Sequence, residues 1–393
     1  MDSIERAVSK MREWGQVGDW RGYDPYDALN SPFAPMLTLG TRPGRRTLTQ
    51  VVKLSPLNLR PLLGIKRERS AKAIALVASG YARLAAAGDP TAAADAERWL
   101  DWLLSNHSGD EDGLAWGYHF DVQTRFFSYA RATPNTIATS FVAHAFLDGV
   151  ELLGEERWSD AALSAGRFLT SRLLVDGPNG TYFRYLPCDD QLVHNANLLA
   201  CAVLARAATL FSDDELAEPA HRALATSLAA QREDGSWLYA EGPRGAWVDN
   251  FHTAYILESL ARCSDLDADV AEQLERGLEY WQRECFLADE TPRYAPGRTY
   301  PIDAHCYATA IDTWLALANH HPEGVEHAER IAHLLVARML DSAGFVHFQQ
   351  HRLWTSRVPF VRWMTAPSFR ALAGVLLARA RQNPGAYAHA HLD

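Results

Sequence analysis

A repeat constrains this chain more than any motif does. Helix-start signals recur at Ser70, Thr133, about His194, Asp249, Asp303 and Thr365, at intervals of 54 to 63 residues. Each opens a segment that is small and apolar almost all round, such as TIATSFVAHAFLDGV, NANLLACAVLARAATL, FHTAYILESLARC and HCYATAIDTWLALA. A helix without a polar face has to be buried on every side. Between these segments lie helices of another kind. Over residues 267–285, Val270, Leu274, Leu278 and Trp281 form one stripe, with Glu and Arg opposite, the pattern of an amphipathic surface helix. Residues 91–105, 157–174, 214–231 and 324–340 repeat it, and residues 2–16 supply a sixth outer helix.

Each long connection carries a glycine followed by alternating aromatics, as in DGLAWGYHFD, NGTYFRYLP, DGSWLYAEGP and AGFVHFQQH, which predicts a turn and a short extended ribbon. The unit is therefore outer helix, aromatic loop, inner helix, about six times over. An open solenoid would use the same unit, but six wholly buried inner helices favour closure. The expected fold is all-α, an (α/α)6 toroid over residues 1–393, with 18–69 an N-terminal arm.

Composition narrows the function. A net charge of −10 argues against nucleic acid as a partner. The lysines are Lys10, Lys53, Lys66 and Lys72, and every later basic residue is arginine, which reads as compositional bias. Five cysteines, odd in number and mostly within helical stretches, look like reduced packing residues. No segment reads as a leader or a membrane span, so a cytoplasmic location is expected.

In a ring of parallel inner helices, the N-termini converge on one mouth and bring their unpaired N–H groups and positive dipole ends. Arg125, Arg131, Arg184, Arg244, Arg293 and Arg362 lie on the same loops, so the bowl should favour an anion. Aromatic walls from Trp116, Tyr118, Tyr182, Tyr185, Trp237, Tyr239, Trp247, Tyr294 and Trp363 suit stacking on sugar rings. Together they point to an acidic sugar. Asp249 and Asp303 are natural N-caps that also face the bowl. Asn135 follows Thr133, the expected cap, and Pro134, so it should be free for a ligand. His194, Asn195 and Asn197 enter an apolar helix, where burial without purpose is costly. His252 and His305 sit early in their helices. The densest constellation is WGYHFDVQTR, with Trp116, Tyr118, His119, Asp121 and Arg125. As a ribbon it would turn Trp116 and Tyr118 to one side, His119 and Asp121 to the other. A zinc site from Asp303, His305 and Cys306 is disfavoured because neighbours on a helix point apart, and no cofactor motif occurs.

The loop QREDGSW (Gln231, Gly235, Trp237) resembles the glutamine–tryptophan repeat of squalene and hopene cyclases, whose acid-rich catalytic motif is missing here. A closer resemblance rests on SPLNLRPLLGIK (55–66), WGYHFDVQTRFF (116–127) with TPNTIATSFVAHAFLD (133–148), and DGSWLYAE with DNFHTAYILESL (234–260). These segments look like a family of glycan-biosynthesis proteins found beside capsule, exopolysaccharide and archaeal N-glycan genes, over about residues 50–380. That family resembles in fold the unsaturated glucuronyl hydrolases, toroidal polysaccharide lyases and glucuronyl C5-epimerases. The resemblance implies a carbohydrate role, with an acidic oligosaccharide or lipid-linked glycan as the partner. It implies that Asp121 with Asp249 or Asp303 could serve as paired carboxylates, or His194, Asn195 and Tyr118 or Tyr185 as a lyase-like set.

Helix N-termini hold Asp ionised and His neutral, which suits bases better than acids. The expected chemistry is therefore removal of the C5 proton of a uronate, giving epimerisation or isomerisation. Tyr118, Asp121, His194 and Asp249 are its expected catalytic residues. Trp116, Arg125, Asn135, Arg184, Tyr185, Asn195, Trp237, His252, Asp303 and His305 are its expected substrate contacts. A glycoside hydrolase or lyase is the alternative, and a non-catalytic glycan-binding protein the third. Residues 41–72 mix Arg and Lys with Leu, Ile, Val and Pro. They read either as an arm filling an outer seam of the ring, with Arg60 reaching into the bowl, or as a peripheral contact with the inner membrane face.

Overall fold

The computed structural model describes residues 1–109 and 111–383; residue 110 and residues 384–393 of the expected 1–393 toroid lie outside the described part. Helix α1 (Ser3–Val17) is followed by the short α2 (Ala34–Thr38) and by α3 (Arg42–Leu54). The ring then alternates α4 (Ala71–Ala86), α5 (Ala92–Ser105), α6 (Thr136–Leu153), α7 (Ser159–Phe168), α8 (His194–Phe211), α9 (Ala217–Ala229), α10 (Asn250–Arg262), α11 (Val270–Cys285), α12 (Ala304–Leu317), α13 (Gly324–Met339) and α14 (Ala366–Gln382). The even-numbered helices from α4 to α14 each pack on the next, and α14 packs back on α4, which closes the ring. The odd-numbered helices from α5 to α13 form the outer layer, and α1 completes it against α13 and α14. This is an (α/α)6 toroid.

The physical reason is the one the pattern implied. Thirteen of the sixteen residues of α4 are buried, and α6 and α8 are buried over almost their whole length, whereas α11 buries only one stripe. Helix α6 is in fact long and apolar enough by composition to cross a membrane, against the expectation that no segment approaches that length, but it lies in the core of the ring. Four of the cysteines are buried and Cys188 is exposed, all with free thiols.

Helix starts fall where expected at Ser70, Asp249, Asp303 and Thr365, but the second repeat differs. Asn135, not Thr133, caps α6: its Oδ1 accepts from the Ala138 N–H at 2.9 Å, while the Thr133 hydroxyl turns back to the Ala130 carbonyl. Proline disfavours helical backbone in the residue before it, so the helix opens only after Pro134. Asn135 thus has the capping duty it was expected to lack.

Two of the expected ribbons are hairpins or sheets, Leu174–Gly177 with Gly180–Phe183, and Gln349–Gln350 between Ile302–Asp303 and Thr355–Ser356. The residues 116–121 are not a ribbon; the hairpin there is the later pair Val122–Gln123 and Ser128–Tyr129. The QREDGSW loop braces two outer helices. Gln231 Nε2 donates to the Gly235 and Gln273 carbonyls, and Trp237 Nε1 to the Ser227 carbonyl. Gly235 has φ +89°, and a Cβ there would sit 2.3 Å from the Arg276 carbonyl oxygen, so no other residue fits.

The segment 18–69 lies across the mouth of the ring. Trp20 is buried against Tyr81 and Phe369, Gly22 pairs with Glu68, and Tyr23 pairs with Phe360 at the approach to α14. Arg60 does not enter the bowl. It is wholly buried inside the arm, donating to Asp27 at 2.7 Å and to the Asp24 carbonyl at 2.7 Å. The buried Asp24 in turn holds Arg362 through both carboxylate oxygens.

Candidate functional site

The first turns of the inner helices surround a cavity of about 460 Å³. Lys72 of α4, Ile137 and Phe141 of α6, Asn195 of α8, Asp249, His252 and Tyr255 at the start of α10, His305 of α12, and Arg362 and Trp363 before α14 all face it. The loop Tyr118–Tyr129 supplies one wall, and Tyr26, Arg46, Gln50 and Lys53 of the arm close it from above. A second, more open hollow lies beyond Thr124–Ser128, bordered by Arg42, Arg46 and Arg244, and shares Arg46, Gln50, Arg125 and Phe126 with the first.

Asp249 is the only carboxylate among the described residues that line the cavity. Its Oδ1 accepts from the His252 N–H, and its Oδ2 accepts from His252 Nδ1 at 2.7 Å and Trp247 Nε1 at 3.1 Å. A carboxylate only accepts, so His252 Nδ1 carries the proton and Nε2 is left as a proton acceptor. His305 is held in the same tautomer: Nδ1 donates to the Trp363 carbonyl at 2.7 Å and Nε2 accepts from the Tyr255 hydroxyl at 3.0 Å. Burial, reinforced by the charge of Lys72, holds its pKa well below the usual histidine value.

Positive charge dominates the cavity. Lys72 is buried with no hydrogen bond or ion pair among the described residues; its Nζ lies 4.0 Å from the centre of the Phe141 ring and 5.2 Å from that of Tyr255. Burial, with the charge of Arg362, pushes its pKa well below that of a free lysine. Arg362 packs its guanidinium 4.6 Å from the Tyr118 ring centre, and Arg125 lies 4.0 Å from that of Trp247. The buried Asn195 Oδ1 has no hydrogen-bond partner among the described residues, an acceptor waiting for a donor. Around these groups stand stacked rings, Tyr239 on Trp247 and Phe127 on Tyr185. Burial raises the phenol pKa values of Tyr118, Tyr129, Tyr185 and Tyr239, so each is a neutral hydroxyl at ordinary pH.

Of the residues singled out from sequence, Tyr118, Arg125, Tyr185, Asn195, Asp249, His252 and His305 line this cavity, as do Arg362 and the aromatics Tyr239, Trp247, Tyr294 and Trp363. The others are engaged elsewhere. His194 is turned between α8 and α9, where Nδ1 meets Ser227 Oγ at 3.1 Å and Nε2 meets Glu241 at 3.0 Å. Asn197 bonds Ser227, the Ala223 carbonyl and the Phe183 N–H, so this polar cluster clamps an outer helix to the ring. Asp121 accepts from Arg45 and from the Arg131 N–H outside the cavity. Trp116 and Tyr118 do not share a side: Trp116 is core, with Nε1 on the Leu103 carbonyl. Arg184 bonds the Arg172 carbonyl and Asp190, and Trp237 belongs to the brace above. Asp303 is buried behind the wall, bonded to His305 N–H and Gln349, and burial pushes its pKa up to about 6.

Lys72, Tyr255 and the arm residues were not singled out as site residues. For Lys72 a signal existed, since it is the one charged residue in the first three turns of an otherwise apolar segment, AKAIALVASGYA.

No family model and no curated protein sequence matches the chain. Solved structures do match it. A heparin-specific unsaturated glucuronyl hydrolase aligns with a TM-score of 0.62 at 15% identity, over 97% of each chain. A sugar epimerase from a ruminal bacterium aligns at 0.62 and 12% identity, over 96% of this chain and 98% of its own. Cellobiose 2-epimerase from Bacillus thermoamylovorans aligns at 0.61 and 10% identity, over 96% and 99%. At these identities the likeness is one of architecture, and the chain has the (α/α)6 toroid fold of these three structures.

Proposed function

We propose that this protein is a carbohydrate-active enzyme that binds an acidic saccharide and moves the proton at C5 of a uronic acid residue, as an epimerase or related isomerase. The observation that carries this reading is the pairing of His252 with Asp249 inside a cavity that, among the described residues, has several cations and no second carboxylate. Three fold neighbours are, by name, a glucuronyl hydrolase and two sugar epimerases, which supports the substrate class.

Lys72, Arg362 and Arg125 are suited to a sugar carboxylate and Asn195 Oδ1 to a hydroxyl. His252 Nε2 takes the C5 proton. The electron pair moves into the carboxylate, and the resulting enediolate charge is held by Lys72 and Arg362. Tyr118, kept protonated by burial, returns a proton to C5, and solvent resets both groups. Asp249 orients the base. With both oxygens occupied by hydrogen bonds, it is a poor nucleophile or acid.

Hydrolysis by paired carboxylates is the second reading, favoured by one observation: Asp303 is raised to about 6 and Asp249 lies near enough to contribute to that shift. Against it, Asp303 is off the cavity wall. The test is NMR in deuterated water with uronic-acid glycans. Deuterium at C5 of an intact chain, with turnover reduced at least about 100-fold by His252→Asn, is the expected result. Cleavage without C5 exchange would replace the proposal with hydrolysis, and cleavage with a new double bond would replace it with elimination. Binding with neither exchange nor cleavage would mean a glycan-binding protein.

A further inference from the structure

Residues 33–62 carry a concentration of exposed apolar side chains found nowhere else in the described chain. Of the fourteen large hydrophobic residues that are substantially exposed among the described residues, eight lie here: Phe33, Met36, Leu37, Leu39, Val51, Leu54, Leu57 and Leu62, with Leu39 and Leu62 more than 80% exposed. Singly exposed leucines need no explanation, whereas a cluster on one segment does.

Charge follows the same boundary. In a chain of net charge −10, residues 28–67 contain no Asp or Glu and seven basic residues. Two of these are neutralised, Arg45 by Asp121 and Arg60 by Asp27. Arg42, Arg46, Lys53, Lys66 and Arg67 have no carboxylate partner among the described residues, and all but Lys53 are exposed. Apolar side chains flanked by unpaired cations match an acyl surface beneath anionic headgroups, and match little else on an acidic protein.

The fold also places this surface beside the site. At 100° per residue, Val51 and Leu54 fall next to the stripe of α3 that carries Arg46, Gln50 and Lys53 to the cavity. One helix therefore forms both a wall of the site and an apolar outer edge.

We propose that the arm from Phe33 to Arg67 docks the protein on an anionic lipid bilayer, with the mouth of the cavity held at the membrane surface. This does not depend on which reaction the cavity performs. The test is co-sedimentation of the full chain with phosphatidylcholine vesicles, with and without about one-third phosphatidylglycerol. Binding to the anionic vesicles alone is expected, and each of two variants, Leu39→Gln/Leu57→Gln/Leu62→Gln and Lys66→Glu/Arg67→Glu, should weaken it at least about tenfold. None of these side chains lines the cavity, so thermal unfolding and saccharide binding should match the parent. Absence of binding to anionic vesicles would overturn the proposal, as would unchanged binding of both variants. Sedimentation velocity closes the remaining case: self-association abolished by the leucine variant would show that a second copy covers the patch.

Discussion

Deeper along the same inner helices that build the cavity, Arg370 donates to Glu258 at 3.0 Å and lies 3.4 Å from Asp312. Arg83 meets Asp312 at 2.5 Å, Arg262 meets Glu258 at 2.8 Å, and Arg206 meets Asp148 at 2.6 Å. Every charge in this network has a partner, and the Arg370 and Arg262 charges hold Glu258 down to about 2 despite its burial. At the mouth, by contrast, Lys72 is buried to the same degree with no ion pair among the described residues, and Asn195 keeps an empty acceptor. The same helices thus bury charge in two ways. Mutual pairing braces the ring, while unpaired burial is a standing cost that a ligand can relieve.

Breaking the paired end should produce the largest effect on stability. Glu258→Leu leaves Arg370 and Arg262 without their shared carboxylate and should cost roughly 3–5 kcal/mol, because an uncompensated charge stays in the core. Urea unfolding measures it, and saccharide affinity of the folded fraction should be unchanged. A loss below 1 kcal/mol would mean the network is not structural.

Removing the unpaired charge should have the opposite sign. The folded-state pKa of Lys72 is lowered, so the unfolded chain binds more protons and the stability of the empty protein rises with pH from that lowered value towards 10.5. Lys72→Met should raise Tm by about 1–3 °C near neutral pH, with the gain shrinking as pH rises. It should also weaken uronate binding about 10- to 100-fold, the loss of one charge-assisted contact. Calorimetry across pH checks both, and a destabilised variant with unaltered binding would remove Lys72 from the site.

The smallest effect is expected at Asp121, which sequence had placed among the catalytic groups. Its ion pair with Arg45 is partly solvated, so Asp121→Asn should cost less than about 1 kcal/mol. Turnover should stay within about twofold; a large drop would return Asp121 to the catalytic set.

The ring was legible because its cause is periodic. All-round apolar helices alternating with one-sided ones leave few arrangements, and the starts at Asp249 and Asp303 follow from cap chemistry that acts within a turn. The cavity was legible in part for the same reason. Asp249, His252 and His305 open inner helices, so position along the repeat placed them at the end of the ring where the cavity lies.

What the sequence by itself determined, then, was everything that depends on spacing along the chain: helix type, ring closure, and which ends converge. What only the tertiary structure decided was partnership across it. His194 and Asp249 look alike as polar residues at helix starts, yet Ser227 and Glu241 claim one while the other faces the cavity. Lys72 looks like a stray cation until no anion arrives beside it, and the arm looks like packing until Asp24 reaches Arg362 and its leucines stay in water. Side-chain rotation and contacts between residues hundreds of positions apart set these outcomes, and no local pattern encodes them.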